Sequence, residues 1–105
     1  MKKIKNFIHG NITSVSNELI SVIDPSTGEK IGEVVASNHI DFKKTIESSK
    51  KAFEVWSEVT PLKRSRIISK YKNLIEQNIE ELAMLVSSEH GKTLDDAKGS
   101  VIRGL

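Results

Sequence analysis

The 105-residue chain has no cysteine, so no disulfide, thiolate metal site or cysteine nucleophile lies within it. It has no run near the ~18 to 20 apolar residues that cross a bilayer. The opening MKKIKNFIHG has three lysines but no apolar run or small-residue cleavage site behind them, so a secretory signal is not expected. An intracellular, cytoplasmic location is the default expectation, with no membrane partner. A dominant charge sign is also missing. Sixteen basic residues oppose fourteen acidic ones, for a net charge of +2. The one basic cluster is Lys63, Arg64, Arg66, Lys70 and Lys72, and its only aromatic neighbour is Tyr71. Nucleic-acid binders carry a stronger bias with stacking partners, so the cluster reads as a solvated helix face and no nucleic-acid partner is expected.

Several motifs are absent too. Gly91-Lys92-Thr93 spells the end of a phosphate-binding loop, but the pattern needs a glycine where the chain has Val86. The preceding LAMLVSSEH reads as a helix, not as the strand such a loop follows. There is no G-x-S-x-G, no G-x-G-x-x-G and no Cys/His pair. His9, His39 and His90 are far apart and lack the i, i+4 spacing of a helical zinc site. Asp95 and Asp96 are adjacent, so on a helix they point about 100° apart, and acids in a first turn suit the helix dipole. The residues alone give no catalytic, metal-binding or cofactor-binding constellation.

What is present is material for a modest core, with 37% hydrophobic and 29% charged residues. That suits one small domain or part of a larger one. The first third reads as two β-hairpins. KNFIH and NITSV flank His9-Gly10, and LISVI and IGEVVA flank DPSTGE. In the second turn Asp24 can bond back to the backbone, Pro25 presets φ and Gly28 supplies a left-handed residue.

From residue 38 the period becomes helical. Asn38 caps the first helix with Asp41 at N3, and Phe42, Ile46, Ser49, Phe53 and Trp56 share one face. Thr60-Pro61 opens a second helix presenting Ile68, Tyr71 and Ile75. Asn78 with Glu81 is predicted to cap a third, with Leu82, Leu85 and Val86 inward. Thr93 with Asp96 opens a fourth, bearing Leu94, Ala97, Val101 and Leu105. Between the last two helices, Gly91 suits the position after a helix end and Lys92 suits the negative end of its dipole. The fourth helix has a start signal but no stop signal before Leu105, and is expected to be cut mid-element.

Arg103 stands out among these residues. It sits in VIRGL between Val101, Ile102 and Leu105, with Gly99 and Gly104 leaving space nearby. An arginine fork in such surroundings either pairs with a neighbouring acid or binds a carboxylate or phosphate ligand. The residues leave both options open.

The ordered segments NFIHG, IDPSTGEKIGEVVAS, KKAFEVWSEVTPLKRSRI and NLIEQNIEELAMLVSSEHGKTLDDAKGSVIRGL resemble the N-terminus of an aldehyde dehydrogenase across essentially the whole chain. EHGKTLDDAKGSVIRGL is most similar to the coenzyme-A-acylating methylmalonate-semialdehyde dehydrogenases, whose pattern is G-K-T-x-x-D-A-x-G-x-V-x-R-G. Ile12 departs from the tryptophan frequent at that position in the family, which is a packing change.

The resemblance implies an α/β fold in which residues 1–105 form the N-terminal segment of the NAD-binding domain region, with two hairpins followed by about four helices and a break within the fourth. The catalytic cysteine, the NAD- and coenzyme-A-contacting residues and the oligomerisation domain would lie outside this chain. On that reading the 105 residues alone are inactive, and the parent is a homodimer or homotetramer.

The implied reaction starts with thiolate attack on the aldehyde, followed by hydride transfer to NAD, loss of carbon dioxide and acyl transfer to coenzyme A. By motif, Arg103 takes the role of holding the semialdehyde substrate's carboxylate. A related alternative is a non-acylating aldehyde dehydrogenase that releases a free acid. An alternative of another class is a non-catalytic helical interaction module. A reading frame continuing to a cysteine nucleophile would exclude the module.

Overall fold

A computed structural model describes residues 1–105, in the order β1 (Lys2–Ile4), β2 (Asn6–Ile8), β3 (Asn11–Thr13), β4 (Leu19–Ile23), β5 (Lys30–Val35), α1 (His39–Trp56), α2 (Pro61–Gln77), α3 (Ile79–His90) and α4 (Leu94–Arg103). The chain folds as two units. One comprises residues 1–22 and 30–59, the other residues 23–29 and 60–105.

Both expected hairpins form in the first unit. β2 and β3 pair antiparallel through Phe7 and Ile12. Their turn has positive φ at both His9 (52°) and Gly10 (74°), the requirement of a two-residue type I′ connection. β4 and β5 are neighbours in a three-stranded sheet of order β1-β5-β4, and the N–H of Ala36 donates to the carbonyl of Glu18 at 2.9 Å. β1 is unexpected, a lysine-rich stretch that pairs parallel with β5 in the register Lys2 to Gly32. Gly32 permits that approach, because a Cβ there would lie 3.2 Å from the carbonyl oxygen of Lys2.

The start of α1 anchors this unit. Asn38 and Asp41 form the predicted capping box. The Asp41 carboxylate also accepts from the backbone N–H groups of Val15 (2.6 Å) and Ser16 (3.1 Å), besides that of Asn38 (3.2 Å). Asp41 and Ser16 are buried, as is Val35. The loop after β3 is therefore tied to a helix N-terminus by one carboxylate. Those bonds favour the charged form and hold the carboxyl below its ordinary range, led by the bond from Val15.

In the second unit the tip of the β4–β5 hairpin forms as predicted. The N–H of Ser26 donates to Asp24 Oδ1 at 2.8 Å, that of Gly28 to the carbonyl of Asp24 at 2.8 Å, and Gly28 has φ of 76°. Thr60 caps α2 through the N–H of Lys63, with Pro61 in the first turn. The expected cap at Asn78 does not form. Only this residue separates α2 from α3, and its amide donates to the carbonyl of Leu74 at 2.7 Å instead of capping α3.

α3 packs against α4, and Ala83 and Ala97 are the fully buried residues of the two helices. Leu82 and Val86, expected to point inward, are half-buried. Leu85 stays exposed. Small side chains are buried here because they let two helix backbones approach closely. An ion pair of 2.7 Å joins Lys98 of α4 to Glu80 at the start of α3.

Candidate functional site

The joint between α3 and α4 sets the position of the one residue the sequence singles out. Gly91 ends α3 in the left-handed conformation, with φ of 83°. It also faces the hairpin tip, since a Cβ on Gly91 would fall 2.8 Å from Cγ of Pro25. The short turn is pinned from both sides by Ser87. Its carbonyl accepts from the N–H of Gly91 at 2.8 Å, and its hydroxyl donates to the carbonyl of Lys92 at 2.7 Å. Thr93 then caps α4 by accepting from the N–H of Asp96 at 3.3 Å. The cap chemistry read from Gly91 and Thr93 is present as predicted, and the clamp from Ser87 is an addition.

Arg103 lies in the last turn of α4 and is exposed. It forms no ion pair with a neighbouring acid. Its Nη2 donates to the hydroxyl of Ser100 at 3.0 Å. Lys92 donates to the same oxygen from Nζ at 2.8 Å, and that hydroxyl donates to the carbonyl of Asp96 at 3.2 Å. Its one proton and two lone pairs are thus fully used. Gly99 lies beside the arginine, and a Cβ there would be 3.4 Å from Nη1.

Two cations therefore converge on one neutral oxygen. Both sit at hydrogen-bond distance from it, so they are separated by no more than roughly 6 Å. Like charges that close repel one another. Neither cation lies within ion-pair distance of an acid, Glu80 is engaged by Lys98, and Glu89 borders the same groove as Ser100. Such an arrangement can take an anionic group that bonds to both cations at once.

Sequence reasoning identified Arg103 and placed Lys92 only by its dipole position. It missed Ser100, because the bond from Lys92 spans eight positions, from before the α4 cap to a residue inside that helix, and the sequence does not show which way that lysine turns.

Next to this cluster the second unit has an open groove of about 710 Å³, bordered by Tyr71, Leu82, Val86, Ser100, Val101 and Leu105 among others. Its wall is mostly apolar, with Asn78 and Glu89 as polar members, and Ser100 links it to the cationic pair. The three histidines stay apart. His9 lies in the first turn, His39 starts α1 with its ring 6.4 Å from that of Phe42, and His90 ends α3. The basic residues of α2 are largely exposed, and Lys72 lies 3.9 Å from Glu76. No helix is long and apolar enough to cross a membrane.

Comparison with known proteins agrees with the sequence resemblance. Residues 12–105 match the model of the aldehyde dehydrogenase family. The chain is 42% identical to malonate-semialdehyde dehydrogenase 1 of Bacillus thuringiensis (strain Al Hakam), over all of this chain and 22% of that protein. Among solved structures, a protein of Sinorhizobium meliloti 1021 assigned as a methylmalonate-semialdehyde dehydrogenase and crystallised with NAD superposes with a TM-score of 0.97 at 38% identity. That match covers all of this chain and 22% of the other. The methylmalonate-semialdehyde dehydrogenase of Oceanimonas doudoroffii gives 0.95 at 32% identity, covering 99% and 21%. The chain thus spans about a fifth of the length of the relatives it matches. Its hairpins and four helices correspond to the N-terminal part of their fold, and the chain belongs to the aldehyde dehydrogenase family.

Proposed function

We propose that these residues serve an NAD-dependent, coenzyme-A-acylating dehydrogenase of malonate or methylmalonate semialdehyde, in which Arg103 binds the substrate's carboxylate. The observation that carries this reading is that Arg103 has no acidic partner and its guanidinium shares a hydroxyl with a second cation. The similarity to malonate-semialdehyde dehydrogenases over the whole chain supports the substrate class. The NAD bound to the Sinorhizobium meliloti protein supports the cofactor.

NAD, when bound, accepts the hydride. No residue of this chain is assigned to it or to coenzyme A. The contribution of these residues is placement. A guanidinium at the end of α4 fixes one end of a short semialdehyde, so that its carbonyl carbon meets the nucleophile in a reactive orientation. A carboxylate also separates this substrate from simple aldehydes, because an uncharged aldehyde leaves the cations unpaired.

The test uses the complete enzyme carrying this segment, assayed with malonate semialdehyde and with propanal, which replaces the carboxylate by a methyl group. Arg103→Ala is expected to lower kcat/KM for malonate semialdehyde by about 30- to 150-fold, the ~2 to 3 kcal/mol of a charge-assisted hydrogen bond. Propanal turnover is expected to change little. An equal effect on both substrates, or none, removes the carboxylate role. Formation of acetyl-CoA only with coenzyme A present supports acylation. Release of a free acid at the same rate without it identifies the non-acylating alternative.

A further inference from the structure

We infer that Lys92 is a second ligand for the substrate's carboxylate, so that the anion site consists of Lys92 and Arg103 held together by the Ser100 hydroxyl. The inference rests on the carboxylate reading of Arg103 and extends it to a residue that neither the sequence nor the family match assigns.

Three observations carry it. First, the two cations come from different elements, the α3–α4 joint and the last turn of α4, and still bond to one oxygen. That convergence places two positive charges on one neutral group. Second, the backbone of Lys92 is held. Ser87 bonds to its carbonyl, and the preceding Gly91 turns the chain in the left-handed conformation with no room for a Cβ beside Pro25. The base of the side chain is therefore set by the joint, and the bond to Ser100 holds its ammonium. Third, the serine hydroxyl bonds to the carbonyl of Asp96, leaving both lone pairs for the cations. It orients them without neutralising either. An acid at position 100 would also have bridged the two, but it would have cancelled the charge a ligand needs.

A carboxylate has two oxygens and accepts from two donors at once. Arg103 alone would fix the anion's direction. With Lys92 added, the site gains charge and a second anchor, and a flexible three-carbon semialdehyde loses rotational freedom on binding. The predicted ligand class is a short carboxylate-bearing aldehyde. Malonate, which resembles the substrate but has a second carboxylate in place of the aldehyde, is an unreactive probe.

The experiment measures steady-state kinetics and malonate inhibition in the complete enzyme for Lys92→Gln, Lys92→Arg and Arg103→Ala. Lys92→Gln is expected to raise KM for malonate semialdehyde about tenfold and weaken malonate inhibition by a similar factor, with kcat/KM for propanal and Tm unchanged. Lys92→Arg is expected to restore most of the loss. If Lys92→Gln affects both aldehydes equally, or neither, while Arg103→Ala is selective for the carboxylate, Lys92 is not a ligand and only this inference falls. If Arg103→Ala shows no selectivity either, the carboxylate reading itself is overturned.

Discussion

Asp41 shows how much one side chain can organise. Its carboxylate bonds to three backbone N–H groups, two of them more than twenty positions earlier in the chain. The bonds from Val15, Asn38 and Ser16 lower its pKa in the folded state. A carboxyl lowered on folding stabilises above its unfolded pKa, near 4, and that contribution is lost as pH falls through the lower folded value. The complete enzyme should therefore lose stability on acidification partly through this group. Asp41→Asn keeps the shape but not the charge, and is expected to lower the urea midpoint at pH 7 by an amount that shrinks steadily as the pH is taken below the ordinary carboxylate range. A midpoint gap that stays constant across that range would show that charge at Asp41 does not matter. Arg103 follows the opposite logic. Nothing in the chain neutralises it, and this is why it reads as a ligand group.

At the scale of elements, local chemistry was the legible part. The caps at Asn38, Thr60 and Thr93 appear where the sequence places them, because each depends only on residues two or three positions away. The cap at Asn78 fails for a physical reason. With one residue between two helices, its amide serves the carbonyl end of α2, and the N-terminus of α3 goes without. β1 was not legible, because Lys2–Ile4 carries no strand pattern and depends on a partner far along the chain. The Ser100 bridge was missed because it depends on which way the Lys92 side chain turns from the joint before α4.

The joint between α3 and α4 turns at Gly91, which gives an element-scale prediction. Gly91→Ala puts a Cβ into a left-handed residue and against the ring of Pro25. The conformational cost alone is about 1 to 2 kcal/mol. The variant should lower Tm and also raise KM for malonate semialdehyde, because the joint carries Lys92 and sets the direction of α4. A lower Tm with unchanged KM would mean that the joint does not position the cations.

At the scale of the molecule, the apolar stripes predicted on α1 and α2 are present but largely uncovered. Phe42, Phe53, Ile68 and Tyr71 are each more than half exposed. The sequence shows which face of each helix is apolar, but not what covers it. A 105-residue chain with so few buried side chains should lack a cooperative core of its own. Expressed alone, it is expected to unfold in urea over a broad range and to bind a hydrophobic dye such as ANS. A sharp two-state transition without dye binding would show that these faces need no cover.

The parallel pairing of β1 with β5 has a consequence for the order of assembly. β4 and β5 are joined by a tight turn and can find each other early. β1 must wait until the β2–β3 hairpin and β4 have brought β5 back beside it. It is therefore expected to be the last of the three strands to be secured, with its edge exposed for longest during folding. A bulky fusion at the amino terminus would interfere at that late step. It would lower the yield of folded protein while leaving the finished site around Arg103 intact.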